Sequence, residues 1–261
     1  MKTALKRMLL WIVGIYLALL IVAVFMSDGM IFLPHPSSYR DSPEILKLTS
    51  TNGKQISAVY LPNPSARFTL LISHGNAEDL GDGHSWHEDL RRAGFSVFAY
   101  DYQGYGTSQG KPSEHNAYDD EEAAYDYLTR QLQIPPNRII IYGRSVGTGP
   151  AVHLAARKPA AGLIVQSPFV SAFRVLTRVP LLPFDKFPNS RDIRRVHCPV
   201  LVIHGTADQV IAFWHGQKIY VLANEPKQSY WVQGADHNDL EFVAGAQYIA
   251  ALQKFAASLP S

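Results

Sequence analysis

Cysteine is nearly absent: Cys198 is the single one in 261 residues, so no internal disulfide can staple the chain. It stands just before the apolar run "PVLVIHG", where a small buried thiol is the ordinary reading. An excess of charge of either sign is missing too. Lys and Arg total 24 against 22 Asp and Glu, a formal net charge of +2, so no global field recruits a polyanion and nucleic acid is excluded as a partner. No internal repeat and no low-complexity tract occurs, which removes solenoids and disordered arrays. What remains, with 47% hydrophobic residues, is enough apolar material for one sizeable core and one soluble domain.

Residues 8–26, "MLLWIVGIYLALLIVAVFM", lack charge altogether, and Lys2, Lys6 and Arg7 precede them. Nineteen helical residues reach about 28 Å, the thickness of a bilayer's hydrocarbon core. A cleaved signal peptide would carry a shorter apolar region and a small-x-small cleavage site, and "AVFMSDGM" supplies no good one. The segment is therefore read as an uncleaved single-pass anchor over residues 1–27. Cations before the span and Asp28 after it leave the N-terminus cytoplasmic and the remainder on the non-cytoplasmic side. Residues 28–43, rich in Ser and Pro, read as a linker, and 44–261 as the folded domain.

Within that domain, "EILKLTS" and "KQISAVYLP" flank Asn52-Gly53 as a hairpin. Short apolar runs follow at 68–73, 96–100, 139–142, 162–166, 200–203 and 229–232, with helical spacing between them, for example over 116–132. A hairpin followed by βαβ units predicts an α/β domain with a mainly parallel sheet and helices on both faces.

The run "IIIYGRSVGTGP" places Ser145 between Gly143 and Gly147 after a strand and before a helix. G-x-S-x-G in that context is a nucleophile elbow: the glycines permit close approach of strand and helix, and the sharp turn exposes the hydroxyl. A P-loop would need a lysine here, and "GTGPAV" lacks the third glycine of a dinucleotide fingerprint. A serine nucleophile requires a base and an orienting acid. "PVLVIHGTADQVI" offers Asp208 and "SYWVQGADHND" offers His237, each just past a predicted strand. Asp236 adjoins His237 too closely in sequence to orient its ring; Asp101 follows a strand that precedes the nucleophile's and reads as structural or pocket-lining; His204 reads as a structural imidazole. Asp79, Asp82, His84, His87, Glu88 and Asp89 cluster superficially like metal ligands but lack a recognised spacing, so neither metal nor cofactor is expected. Oxyanion donors should be the backbone N–H of Val146 and that of Asn76 in "SHGNAEDLG", with Ala77 the alternative and His74 bracing the loop.

These blocks, with "YDYQGYGTSQGKPSE" and "GADHNDLE", resemble in order and over roughly residues 44–255 the α/β-hydrolases, more narrowly the membrane-anchored branch that includes the protein depalmitoylases and related single-pass hydrolases. The resemblance implies an α/β-hydrolase fold with a short cap, preceded by an N-terminal transmembrane helix. It further implies a Ser145–Asp208–His237 triad and acyl esters or thioesters as substrates. The depalmitoylases attach through an N-terminal cysteine cluster; this chain has no cysteine before residue 198 and carries a transmembrane helix instead. A peptidase, a phospholipase-type esterase or a non-catalytic binding module would share the motifs. The cap should lie between Gln166 and Val200, where Phe169, Phe173, Leu176, Leu181, Leu182 and Phe184 either line an acyl groove or pack on the core. With the anchor as a tether, removing residues 1–27 should spare turnover of a short soluble ester and depress turnover of vesicle-bound substrate.

Overall fold

The computed structural model describes residues 2–260. Its helix α1, Lys2–Phe25, is apolar along almost its whole length and almost nowhere buried, long enough to cross a membrane. A second helix, α2 (Ser27–Ile31), follows after the single residue Met26. Backbone bonds from Met26 N–H to the Val22 carbonyl and from Met30 N–H to the Met26 carbonyl run across that joint, so α1 and α2 form a nearly continuous rod.

Eight strands follow: β1 (Leu46–Thr49), β2 (Gln55–Leu61), β3 (Thr69–Ser73), β4 (Ser96–Tyr100), β5 (Ile139–Arg144), β6 (Gly162–Gln166), β7 (Val200–Gly205) and β8 (Lys227–Val232). They form one sheet in the order β1-β2-β4-β3-β5-β6-β7-β8, in which β2 runs antiparallel to both neighbours and all other pairs are parallel. The β1–β2 hairpin turns through Gly53 at φ +78°, a conformation glycine adopts without steric cost.

The intervening helices are α3 (His84–Arg92), α4 (Glu114–Asp126, prolonged by a wider turn to Gln131), α5 (Thr148–Ala155), α6 (Asn189–Asp192), α7 (Trp214–Leu222), α8 (Leu240–Ala244) and α9 (Ala246–Ser258). Ile139 and Ile141 point into the core beneath α4, α5 and α7, while Ile140 and Tyr142 point into the one beneath α3 and α9, as the alternation of a strand buried on both faces requires. Between β6 and β7 the chain forms a short cap with one helical turn at Phe173–Val175 and α6.

Residues 28–43, expected as a linker, are docked on the domain. Phe32 is 2% exposed, with its ring edge-on to Tyr102, Tyr105 and Phe187. The Asp28 carboxylate pairs with Lys186 and accepts from the Glu114 N–H at 3.2 Å. Tyr39 donates to Asp101 at 2.5 Å, and Ser38 donates twice to Asp79. The composition of this stretch is a linker's, but the buried Phe32 ring and the polar groups of Asp28, Ser38 and Tyr39 seat it.

Candidate active site

Parallel strands end on one edge of the sheet, and the loops after β3, β5, β7 and β8 meet there. The turn after β5 holds Ser145 at φ +52°, a left-handed conformation rare for a residue with a side chain. A Cβ at Gly147 would lie 2.1 Å from the Ser73 carbonyl oxygen, and one at Gly143 would lie 2.5 Å from the Gly147 oxygen. Both positions therefore admit glycine alone, which is the physical content of the G-x-S-x-G pattern.

Ser145 Oγ lies 2.9 Å from His237 Nε2, and His237 Nδ1 lies 2.8 Å from Asp208 Oδ2. Asp208 Oδ1 accepts the backbone N–H groups of Val210 at 3.0 Å and Ile211 at 2.7 Å. Burial opposes ionisation of Asp208. Hydrogen bonds from His204, His237 and the Ile211 N–H outweigh it and hold the carboxyl well below the usual range. An ionised carboxylate only accepts, so Nδ1 of His237 carries the proton and Nε2 turns a lone pair toward the Ser145 hydroxyl. Asp236 instead accepts the backbone N–H groups of Gln209 at 2.8 Å and His237 at 2.7 Å, fixing the loop and leaving the ring to Asp208.

The loop after β3 is held from several directions. His74 is buried; its Nδ1 lies 2.7 Å from the Gly75 carbonyl oxygen and its Nε2 3.4 Å from Asp101. Burial opposes protonation of this ring, but Asp101 and Glu78 raise its pKa nonetheless. Because the Gly75 carbonyl and the Asn76 N–H share one peptide plane, pinning the first aims the second. The Asn76 N–H has no acceptor among the described residues, whereas the Ala77 N–H donates to the Asn76 side chain and the Gly75 N–H to Glu78. The Asn76 side chain donates to the Ile31 carbonyl at 2.6 Å and accepts from the Leu33 N–H at 2.9 Å, joining this loop to α2. Ala77 at φ +54° makes the turn.

One group does more than the sequence indicated, and two were not anticipated. His204 bonds the Ile211 carbonyl at 2.8 Å, as a structural imidazole would, but also lies 3.3 Å from Asp208 Oδ2 and so supports the acid. Its signal was the four-residue spacing to Asp208. Arg144, the residue before Ser145, donates to Glu78 at 3.1 Å and approaches Glu241 at 3.7 Å, tying the elbow to the β3 loop. The third group is the wall formed by α1 and α2. A cavity of about 1010 Å³ opens at Ser145 and His237, at the upper end of ligand-pocket sizes. The six cap residues named from the sequence line it, and Leu19, Val22, Ala23, Ser27 and Met30 close its other side.

The remaining sequence candidates fall elsewhere. Asp79 and Asp82 lie with His35 in a cluster whose ligand atoms are within 4.8 Å of one another, and Asp79 already accepts from Ser38, Gly81 and Asp82. His87 is turned into the core, where burial pushes its pKa down to about 3. Burial pushes the Cys198 thiol up to about 12, which removes the thiolate at neutral pH.

Comparison with known proteins supports a serine hydrolase. Residues 64–183 match the family model described as "Serine aminopeptidase, S33". The chain is 42% identical over 227 residues to alpha/beta hydrolase domain-containing protein 17B of Xenopus laevis, covering 85% of this chain and 78% of that one. It is likewise 42% identical over 225 residues to the Homo sapiens 17B protein, covering 85% and 77%. Among solved structures, the Pyrococcus furiosus esterase Pf2001 superposes with a TM-score of 0.73 at 17% identity, covering 87% of this chain and 98% of that one. The esterase domain from a Rhodothermus marinus protein superposes with a TM-score of 0.65 at 17% identity, covering 82% and 98%. These two likenesses are of fold.

Proposed function

From the premise that the chain belongs to the alpha/beta hydrolase domain-containing 17 family and is a serine hydrolase, we propose that it cleaves acyl esters or thioesters presented at a membrane, through an acyl-enzyme on Ser145. The observation that carries this reading is the hydrogen-bonded chain Ser145–His237–Asp208 at the mouth of an apolar cavity.

His237 Nε2 takes the Ser145 proton as Oγ attacks the acyl carbonyl carbon. The oxyanion faces the N–H groups of Asn76 and Val146. As the C–O or C–S bond breaks, the imidazolium returns that proton to the leaving group. Water then attacks the acyl-serine, gives a proton to His237, and Ser145 recovers it as the acid departs. Asp208 keeps the ring in the required tautomer and stabilises its charged form.

An aminopeptidase needs a free carboxylate for the substrate's amine. The two along the cavity are engaged, Glu78 with Arg144 and the Gly75 N–H, and Asp185 with Ser171 and the N–H groups of Phe173 and Lys186. That favours acyl substrates over peptides. The anchor crosses once, and Lys2, Lys6 and Arg7 on its N-terminal side keep that end cytoplasmic and the catalytic domain on the other face.

The test is covalent labelling by a fluorophosphonate followed by mapping of the modified residue, with matched ester, thioester and amide substrates assayed alongside. Labelling should fall on Ser145 and disappear in Ser145→Ala, with ester and thioester turnover lost together. Full labelling of that variant, or a preference for the amide, would overturn the reading.

A further inference from the structure

Leu19, Val22, Ala23, Ser27 and Met30, the rod residues along the cavity, recur at the three- and four-residue spacing of a single helix face. At the centre of that face stand the small residues Ala23 and Ser27, 8% and 4% exposed, where the rod lies closest to the domain. Ser27 folds its hydroxyl back onto the Ala23 carbonyl at 2.6 Å, so it presents little polarity to the cavity. From Ser27 back to Leu19 the helix rises about 12 Å. Leu19 lies well inside the apolar span Thr3–Phe25, and the same cavity reaches Ser145 at its other end.

The geometry points to the membrane helix as a wall of the acyl site: the acyl chain of the substrate lies along the Leu19–Val22–Ala23 face of α1, with its carbonyl at Ser145. This inference rests on the acyl-serine reading above and deepens it. The occupant is an acyl chain because the cavity's polar end is the nucleophile and its long wall is largely apolar on both sides, leucines and phenylalanines on the cap and mainly aliphatic residues on the rod. The wall is continuous with a helix whose remaining surface suits hydrocarbon, so a lipid-borne chain can slide from bilayer to Ser145 without crossing water. Each methylene kept from water corresponds to about a fourfold gain in binding. Chain-length preference is therefore set by α1, a segment outside the hydrolase fold proper.

The experiment uses the full-length protein in lipid vesicles. A long-chain fluorophosphonate bearing a terminal photoreactive diazirine is reacted with it, irradiated, and the crosslinked peptides are mapped. Crosslinks should join Ser145 to Leu19, Val22 or Ala23. In parallel, Ala23→Phe should lower the ratio of hexadecanoyl to butanoyl ester turnover about tenfold, while Ile21→Phe, a bulky change on the opposite, lipid-facing side of the helix, should leave both rates and their ratio unchanged. Crosslinks confined to the cap, or an Ala23→Phe ratio equal to the wild type's, would overturn the proposal while leaving the acyl-serine reading intact. Equal loss on both esters would also overturn it, since the helix would then support the fold and not the chain. Absence of any Ser145 label would overturn both.

Discussion

At one end of the cavity Ser145, His237 and Asp208 stand beyond the ends of β5, β8 and β7, linked by hydrogen bonds of 2.9 and 2.8 Å; at the other, α1 and the cap face each other across the cavity largely with apolar side chains. The first end owes its geometry to the sheet. Each group there has a directional partner, and even the acid is held by two backbone N–H groups and a second histidine. The second end owes its geometry to shape, with polar latches at its base, where Asp28 meets Lys186 and Asn76 meets the backbone of Ile31 and Leu33. Directional contacts fix where bonds are made and broken to fractions of an ångström, whereas apolar walls fix what fits. On the reading proposed here, the enzyme divides those two tasks between its sheet and its N-terminal apolar helix.

The hardest test of the sheet end is Asp208→Asn. With an amide in place of the carboxylate the His237 ring loses the acceptor that sets its tautomer, and kcat on a short soluble ester should fall about 10⁴-fold. Asp236→Asn, touching only backbone, should cost less than about tenfold. The reverse ranking in steady-state kinetics would move the acid to Asp236 and dissolve the contrast between ring and backbone partners drawn above.

A second, smaller effect lies beneath the same end. Glu121 is buried, takes a hydrogen bond from Ser73 at the end of β3, and leaves its other oxygen without a partner among the described residues. Burial raises its pKa from 4.5 to about 8. The folded chain thus retains a proton that the unfolded chain has lost between those values, so stability falls as pH rises through that window and levels off above it. In Glu121→Gln this part of the slope should vanish. Between pH 5 and pH 9 the wild type should lose roughly 2–4 kcal/mol that the variant keeps, measured by denaturant unfolding at each pH. Parallel slopes would mean that Glu121 is solvated in the folded protein.

The smallest of the three sharpens the boundary between the two ends. Deleting residues 1–26 removes the α1 part of the wall but leaves Asp28, Phe32 and the contacts to Asn76, so turnover of a butanoyl ester in solution should change by less than about threefold. Deleting residues 1–33 also removes the Ile31 and Leu33 partners of Asn76 and the buried Phe32 ring, and the same turnover should fall at least about tenfold through a loosened oxyanion loop. Equal rates from the two truncations would return residues 28–33 to the status of a linker.

The sheet end was legible in the sequence because its chemistry demands particular residue types at fixed places: glycines where backbones touch, a serine between them, an acid and a histidine just past later strands. The strands were legible for the same reason, since burial on both faces leaves unbroken apolar runs such as "GLIVQ". The other end had no such code. Nothing in "GMIFLPHPSSYR" distinguishes a linker from a docked strap, because Phe32 is held by Tyr102, Tyr105 and Phe187, far away along the chain. The lining face of α1 was invisible for a related reason: in a segment apolar all round, periodicity marks no preferred side. Arg144 and Glu78 were missed because an ion pair between two loops leaves no mark on the spacing within either.

The short joint at Met26 has a mechanical consequence. A flexible tether would report to the domain only that a membrane is near, whereas a helix hydrogen-bonded across its joint and seated through Asp28 and Phe32 also transmits angle. An inserted helix adjusts its tilt to the thickness of the hydrocarbon around it. With α1 inserted as proposed, that tilt would carry the catalytic domain with it, and the lipid composition of the host bilayer would become a setting for the attitude of the whole enzyme.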